Sequence, residues 1–431
     1  MIRLATTDPR FETAFTDLLE QARDTTESVD RAVASIISDV RTEGDVALLR
    51  YTKCFDRLAL APDRLRITVE EIDAAVAGIS SELTAALDLA ATRIEAFHRL
   101  QVPADLQTSD SAGLTLGMRW TPLDAVGLYV PGGKAAYPSS VLMNAIPARV
   151  AGVPRIAMCV PTPDGVLNPL VLAAARRAGV VEIYRIGGAQ AIAALAFGTA
   201  SIAPVDRIVG PGNAYVAEAK RQVFGRVGID AIAGPSEVVV LADAANDPRC
   251  IAVDLLAQAE HDEAAQAILI TDDVAFGDRV AACVTQELAT LPRAAIAGAS
   301  WQAHGATIVV RDWAEAVDLV NRLAPEHLQL MLRDPAPIFS RVRHAGAVFL
   351  GAFCPEAVGD YVAGPNHVLP TGRTARFASG LSVFDFLKRT TWVAADAASL
   401  DRVGPAAIAL AEAEGLNAHA RSIALRLQKR A

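Results

Sequence analysis

From Leu114 onward the chain alternates short apolar runs with amphipathic stretches, and this alternation constrains the fold more than any other feature. The pattern predicts strands over 125–130, 156–160, 182–186 and 207–209, separated by helices over 140–150, 169–178, 189–197 and 213–224. A second set follows, with strands over 237–243, 267–271, 307–310 and 347–350 and helices over 249–260, 275–290 and 313–323. Strands that alternate with helices form parallel sheets covered on both faces. Two α/β halves meeting at Ala233-Gly-Pro-Ser-Glu237 are therefore expected. The turns that end the first strands are glycine-rich: Val130-Pro-Gly-Gly133, Ile186-Gly-Gly-Ala-Gln190 and Val209-Gly-Pro-Gly-Asn213. Ligands of open parallel sheets bind at the carboxyl ends of strands, and helix N-termini opened by such turns favour anions. Neither a GxGxxG fingerprint nor a GxxxxGK[ST] loop occurs, so these turns alone specify an anion rather than a dinucleotide.

The flanking regions are helical. Val29, Val33, Ile36, Ile37 and Val40 recur at spacings of three and four before a Gly44-Asp45 break, and helices over 69–79 and 81–99 follow. This region carries no chemical signature and reads as scaffold or dimer contact. At the other end, Pro405 is expected to open a helix stopped by Gly415, and Asn417 to cap a last helix through 427. Such a tail cannot bury its apolar face alone, so it must dock on the body or on another subunit.

With 52% hydrophobic and 21% charged residues the chain is globular, and its net charge of −9 excludes a nucleic-acid binder. No apolar run approaches the ~20 residues that cross a bilayer. The sequence opens without the apolar core of a signal peptide, and its five scattered cysteines lack a CxxC pair. A soluble protein of the reducing cytoplasm, without a membrane partner, is expected.

Chemistry concentrates in the second half. Glu326 and His327, adjacent after Pro325, are two groups able to move protons near neutral pH. Neighbours on a regular strand face opposite ways, but a turn at Pro325 would let both reach one cleft. Asp360 and His367 lie in a run punctuated by Gly359, Gly364 and Pro365, which reads as a rigid loop fit for a metal or substrate. Gln258 and His261, at i and i+3 near the end of a helix, share one face and offer two ligand positions. From the residues alone each motif also has a plain reading: a solvated loop edge, an Asx turn, a helix C-terminus with a favourably placed histidine.

Taken in order, the runs Val126-Gly-Leu-Tyr-Val-Pro-Gly-Gly133, Gly187-Gly-Ala-Gln190, Gly210-Pro-Gly-Asn213, Ala233-Gly-Pro-Ser-Glu237 and Asp254-Leu-Leu-Ala-Gln-Ala-Glu-His-Asp262 match a known pattern. Pro325-Glu-His-Leu328, Gly359-Asp360, Gly364-Pro-Asn-His-Val-Leu-Pro-Thr371 and Glu414-Gly-Leu416 with His419 complete it. The chain thereby resembles the histidinol dehydrogenase family over nearly its whole length.

The resemblance implies an α/β fold of two incomplete Rossmann-like, aldehyde-dehydrogenase-like parallel-sheet domains, with a helical N-terminal region and a C-terminal helical tail. The expected boundaries are 1–110 for the N-terminal region, 111–235 for the NAD-side domain, 236–380 for the catalytic domain and 381–431 for the tail. It implies a cytoplasmic homodimer with a composite site, the tail crossing to the partner. It further implies one zinc per subunit held by Gln258, His261, Asp360 and His419, and NAD near Tyr129, Gln190 and Asn213. L-histidinol would contact Ser236, Gln258, His261, His327, Asp360, His367, Glu414 and His419. Glu326 and His327 would be the catalytic acid–base residues of two successive NAD-linked oxidations, ending histidine biosynthesis. Aldehyde dehydrogenases use a cysteine for the second oxidation, whereas here Cys354 reads as packing. The competing expectation is a related zinc- and NAD-dependent dehydrogenase of another polyol, such as a sulfonated propanediol.

Overall fold

The computed structural model describes the 431-residue chain except for residues 21–26, 133–136, 233 and 429–431. Gly133 and Ala233, which belong to two of the glycine-rich runs, lie outside the described residues. The strands are β1 (Ile2–Ala5), β2 (Leu106–Ser109), β3 (Thr115–Pro122), β4 (Ala125–Tyr129), β5 (Arg155–Cys159), β6 (Glu182–Tyr184) and β7 (Arg207–Val209). They continue with β8 (Gly228–Ile229), β9 (Glu237–Ala242), β10 (Gln266–Thr271), β11 (Ala306–Val309), β12 (His327–Met331), β13 (Ala347–Leu350) and β14 (Leu387–Ala394). The chain divides into two compact units, Met1–Gln101 with Asp124–Phe386, and Val102–Leu123 with Leu387–Ala431.

The larger unit holds two parallel sheets, ordered β6-β5-β4-β7-β8 and β1-β11-β10-β9-β12-β13. Numbered by appearance within each half, both read 3-2-1-4-5, the Rossmann order short of its last strand, with β1 added outside β11. Strands buried on both faces need near-continuous apolar sequence, and β4, β9 and β10 are buried at every position. Val239, Leu241, Leu328 and Leu330 face one core of the second sheet, and Val238, Val240 and Met331 the other. The N-terminal helices pack on the first sheet, where Val33, Ile36, Ile37 and Val40 join the core of Ile192, Leu195 and Val216.

The smaller unit is a three-stranded antiparallel sheet, β14-β3-β2, and two helices, Ala397–Ala413 and Asn417–Gln428. Gly117 of β3 lies opposite Trp392 of β14, and any Cβ there would fall 2.0 Å from the indole. The tail therefore contains a strand as well as helices. Pro405 does not open its helix: Asp396 and Ser399 form a capping box there, and Pro405 sits inside. A capping box outcompetes proline as a start signal because it satisfies two backbone N–H groups. Among the described residues no single helix is long and apolar enough to cross a membrane.

Two expectations about the polar runs need correction. His327 begins β12, a strand inside the second sheet, rather than lying in a turn-rich loop. The turn is confined to Ala324 (φ 46°, left-handed) and Pro325, which redirect the chain from the helix Trp313–Leu323. Asp360 likewise sits in a short helix, Glu356–Tyr361, not in a loop. Gly359 is required there by close packing, since a Cβ would approach the Phe349 ring to 2.4 Å.

Candidate active site

His327 and Glu237 are the first residues of adjacent strands β12 and β9, so the proton-moving groups gather at the amino edge of the second sheet. The backbone of one residue organises both. The Glu237 backbone N–H donates to Glu326 Oε2 at 2.9 Å, and its carbonyl lies 3.0 Å from His327 Nδ1. A carbonyl only accepts, so Nδ1 carries the hydrogen and the lone pair of the neutral ring is on Nε2. Nε2 is buried without a hydrogen-bond partner among the described residues, 3.9 Å from Asp360 Oδ1. Adjacent residues thus share one site because Glu326 precedes the strand while His327 begins it.

The surroundings are acidic and dry. Glu356 Oε1 lies 3.4 Å and Glu326 Oε2 3.7 Å from His327 Nδ1. Burial raises Glu326 and Glu356 well above the usual carboxylate range, and the neighbouring carboxylates add to it. Burial also lifts Asp360 to about 6 and drives His327 down to about 3, with His261 and His367 disfavouring a further positive charge. His367 is lowered to about 4 for the same first reason, its Nδ1 lying 3.0 Å from the Asp360 carbonyl.

The run that carries His367 is fastened to the N-terminal helices. Arg93, in the helix Ser81–Arg99, donates to the Val362 carbonyl at 2.5 Å, and Gly364 (φ 114°) lets the chain pass the Arg93 carbonyl. Buried Asn366 donates to the Met143 carbonyl at 2.5 Å and accepts from Val368 N–H at 2.9 Å.

Glu326, His327, Asp360 and His367 are thus brought together, with His261 in electrostatic reach of both other imidazoles. The helix Pro248–Ala259 ends before His261, which occupies the following turn rather than the helix. Gln258 is buried on that helix, and its Oε1 has no partner among the described residues. Ser236 immediately precedes β9 and is half-buried. Glu414 caps the C-terminus of Ala397–Ala413 and His419 lies in the first turn of Asn417–Gln428; both are exposed in the smaller unit. Glu356 escapes a motif reading, although its spacing of four from Asp360 puts both on one helix face. Ligand atoms of His327, Glu356 and Asp360 lie within 4.8 Å of one another, close enough to hold a metal ion.

The first sheet presents its glycine-rich turns at the carboxyl ends of β4, β6 and β7. Tyr129 ends β4, and its hydroxyl accepts from Gly188 N–H at 3.1 Å. Gln190 is buried in the first turn of the helix Gly188–Phe197 with Oε1 unpartnered among the described residues. Asn213 caps the helix Ala214–Val223 by accepting from Tyr215 and Val216 N–H. Gly210 has φ 110°, and a Cβ there would stand 2.0 Å from the Tyr129 carbonyl oxygen. Gly210→Ala must therefore separate β4 from β7 at the turn, and it should cost at least about 1–3 kcal/mol. Denaturant unfolding checks this, and a stability equal to that of the unaltered chain would contradict it.

A family model described as histidinol dehydrogenase matches residues 19–427. The chain is 66% identical over 429 residues to a histidinol dehydrogenase of Gluconobacter oxydans, covering 100% of both chains. It is 60% identical to one of Ruegeria pomeroyi, covering 98% of this chain and 97% of that one. The crystal structure of histidinol dehydrogenase from Elizabethkingia anophelis superposes with a TM-score of 0.95 at 37% identity, covering 100% of this chain and 98% of that one.

Proposed function

The chain belongs to the histidinol dehydrogenase family, and from that premise we propose that it oxidises L-histidinol to L-histidine through the aldehyde in two NAD-linked steps. The observation that carries the reading is the shared Glu237 backbone, whose N–H holds Glu326 and whose carbonyl turns the lone pair of His327 into a buried, unpartnered position. A base fixed in its tautomer and a second acid–base group beside it suit a substrate that loses protons at successive stages.

The proposed metal is zinc. Gln258, His261 and Asp360 would hold it with the partner subunit's His419, in a homodimer whose tails complete each other's sites. An amide oxygen, two imidazoles and a carboxylate suit zinc, and the orphaned buried Oε1 of Gln258 fits a ligand role. This set leaves His327 Nε2 free, whereas the His327–Glu356–Asp360 group would consume it, because Nδ1 is already engaged by Glu237. NAD would lie near Tyr129, Gln190 and Asn213, where the buried Oε1 of Gln190 has no partner among the described residues. When bound, NAD accepts hydride and the metal orients the imidazole and amine of the substrate. Ser236, His367 and Glu414 would contact the substrate.

His327 Nε2 takes the hydroxyl proton in the first oxidation. His327 releases that proton to solvent, Glu326 takes a proton from the water that adds to the aldehyde, and His327, again neutral, takes the hydrate's proton in the second oxidation. No cysteine is needed, because water adds to the aldehyde directly and the hydrate loses its hydride without passing through a thioester.

Two NADH should form per histidinol consumed. Glu326→Gln should slow oxidation of supplied aldehyde more than oxidation of the alcohol, as followed by NADH absorbance. Equal slowing of both would remove Glu326 from water activation. Burial raises the Glu326 carboxyl, so its base form appears only as pH rises above the ordinary carboxylate range. The aldehyde rate should therefore fall on acidification at a higher pH than an unperturbed glutamate, near 4.3, would impose.

A further inference from the structure

Resting on the ligand set proposed above, we infer that Gln329 is a positioning residue for the metal, a buried amide that sets the separation of the two helices carrying Gln258 and Asp360. Gln329 occupies the middle of β12, fully buried between Val240 of β9 and Phe349 of β13. Its neighbours Leu328 and Leu330 point to the opposite core, and the next residue on its own face is Met331. A leucine or methionine would suit such a position, since an amide placed there is costly unless both of its ends are hydrogen-bonded.

Both ends are bonded, each to a different helix. Nε2 donates to Asp254 Oδ2 at 2.9 Å, on the helix Pro248–Ala259. Oε1 accepts from the backbone N–H of Glu356 at 2.9 Å, at the first residue of the helix Glu356–Tyr361. Asp254 stands four residues before Gln258, and Glu356 four before Asp360, so each bond lies one turn from a proposed ligand on the same face. The amide touches neither ligand. It fixes their helices at a distance set by its own length, which is how groups behind a metal shell tune affinity.

The test measures zinc dissociation by competition with a chromogenic chelator, together with thermal unfolding of the metal-free protein. Gln329→Met keeps the volume but leaves Asp254 Oδ2 and the Glu356 N–H without partners, and should weaken zinc binding about 10–100-fold. Gln329→Glu in an Asp254→Asn background reverses the polarity of one bond while keeping both. A carboxylate oxygen still accepts from Glu356 N–H, and the second accepts from the new amide at 254. That double variant should bind zinc within about threefold of the unaltered chain, inside the scatter expected when a hydrogen bond is replaced by its equivalent.

Zinc affinity unchanged in folded Gln329→Met overturns the inference, and so does a folded double variant that fails to recover it. If Gln329→Met does not fold, the double variant alone decides. Gln258→Ala separates the premise from the inference. Loss of zinc in Gln258→Ala but not in Gln329→Met leaves the ligand set standing and removes Gln329, whereas retention in Gln258→Ala removes the ligand set itself.

Discussion

Replacing His327 with asparagine should lower kcat for histidinol oxidation by about 10²–10⁴-fold, the usual contribution of a positioned general base. The choice of asparagine isolates the chemistry. Its amide nitrogen can still donate to the Glu237 carbonyl, as His327 Nδ1 does at 3.0 Å, but it carries no lone pair where Nε2 stood. The lost function is then proton acceptance rather than packing, and kcat should fall more than KM rises. The pH profile adds a sign. Burial drives His327 down to about 3, so the ring is already in its base form across the neutral range. Alcohol oxidation should show no acidic limb near 6.5, where an ordinary histidine would titrate. An imidazole so hard to protonate is a weak base. The carboxyl groups of Glu356 and Asp360, at 3.4 Å from Nδ1 and 3.9 Å from Nε2, offset part of that cost once ionised. Near-normal kcat in His327→Asn, or an acidic limb at 6.5 that the substitution abolishes, would defeat this assignment.

What could be read from the sequence follows from how each residue is used. Strands such as β9 and β10 carry only packing residues on their buried faces, and their apolar runs announce them. β12 is buried just as fully, yet it presents His327 and Gln329 on the face where the core pattern requires apolar side chains. Buried polar side chains replace the signal that identifies a central strand, so the run reads as a polar turn. The same substitution hid the helix Glu356–Tyr361, whose Gly359 meets a packing demand from Phe349 that no local pattern reveals. Glu326 and His327 were recognisable as proton carriers by residue type. Their common organiser was not, because it is the backbone of Glu237, and a peptide group carries no sequence signature. The antiparallel sheet β14-β3-β2 joins strands separated by more than 260 residues, a pairing outside the reach of any local pattern.

Mixing two inactive variants should restore activity, the largest gain expected here. The tail leaves Leu410 and Leu425 of its helices and Leu416 between them exposed, and two helices with uncovered apolar side chains gain stability by docking on another surface. If the proposed two-fold dimer exchanges its tails, a site built on one chain's His327 would be finished by the partner subunit's His419. Subunits bearing His327→Asn keep a good tail, and subunits bearing His419→Ala keep a good base. A hybrid dimer therefore has one site with both defects and one with none. Random reassortment makes half of the dimers hybrids, so about a quarter of all sites should be intact. Denaturing and refolding the two variants together, then measuring NADH formation against each variant refolded alone, reads this directly. Activity no greater than the sum of the separate variants, with exchange verified by differently tagged chains, would show that each chain finishes its own site. A partial return well below a quarter would instead report incomplete exchange, which the tags quantify, so the activity per hybrid dimer is the quantity to compare. On the composite-site reading that value is half the activity of an unaltered dimer, because one of its two sites is whole.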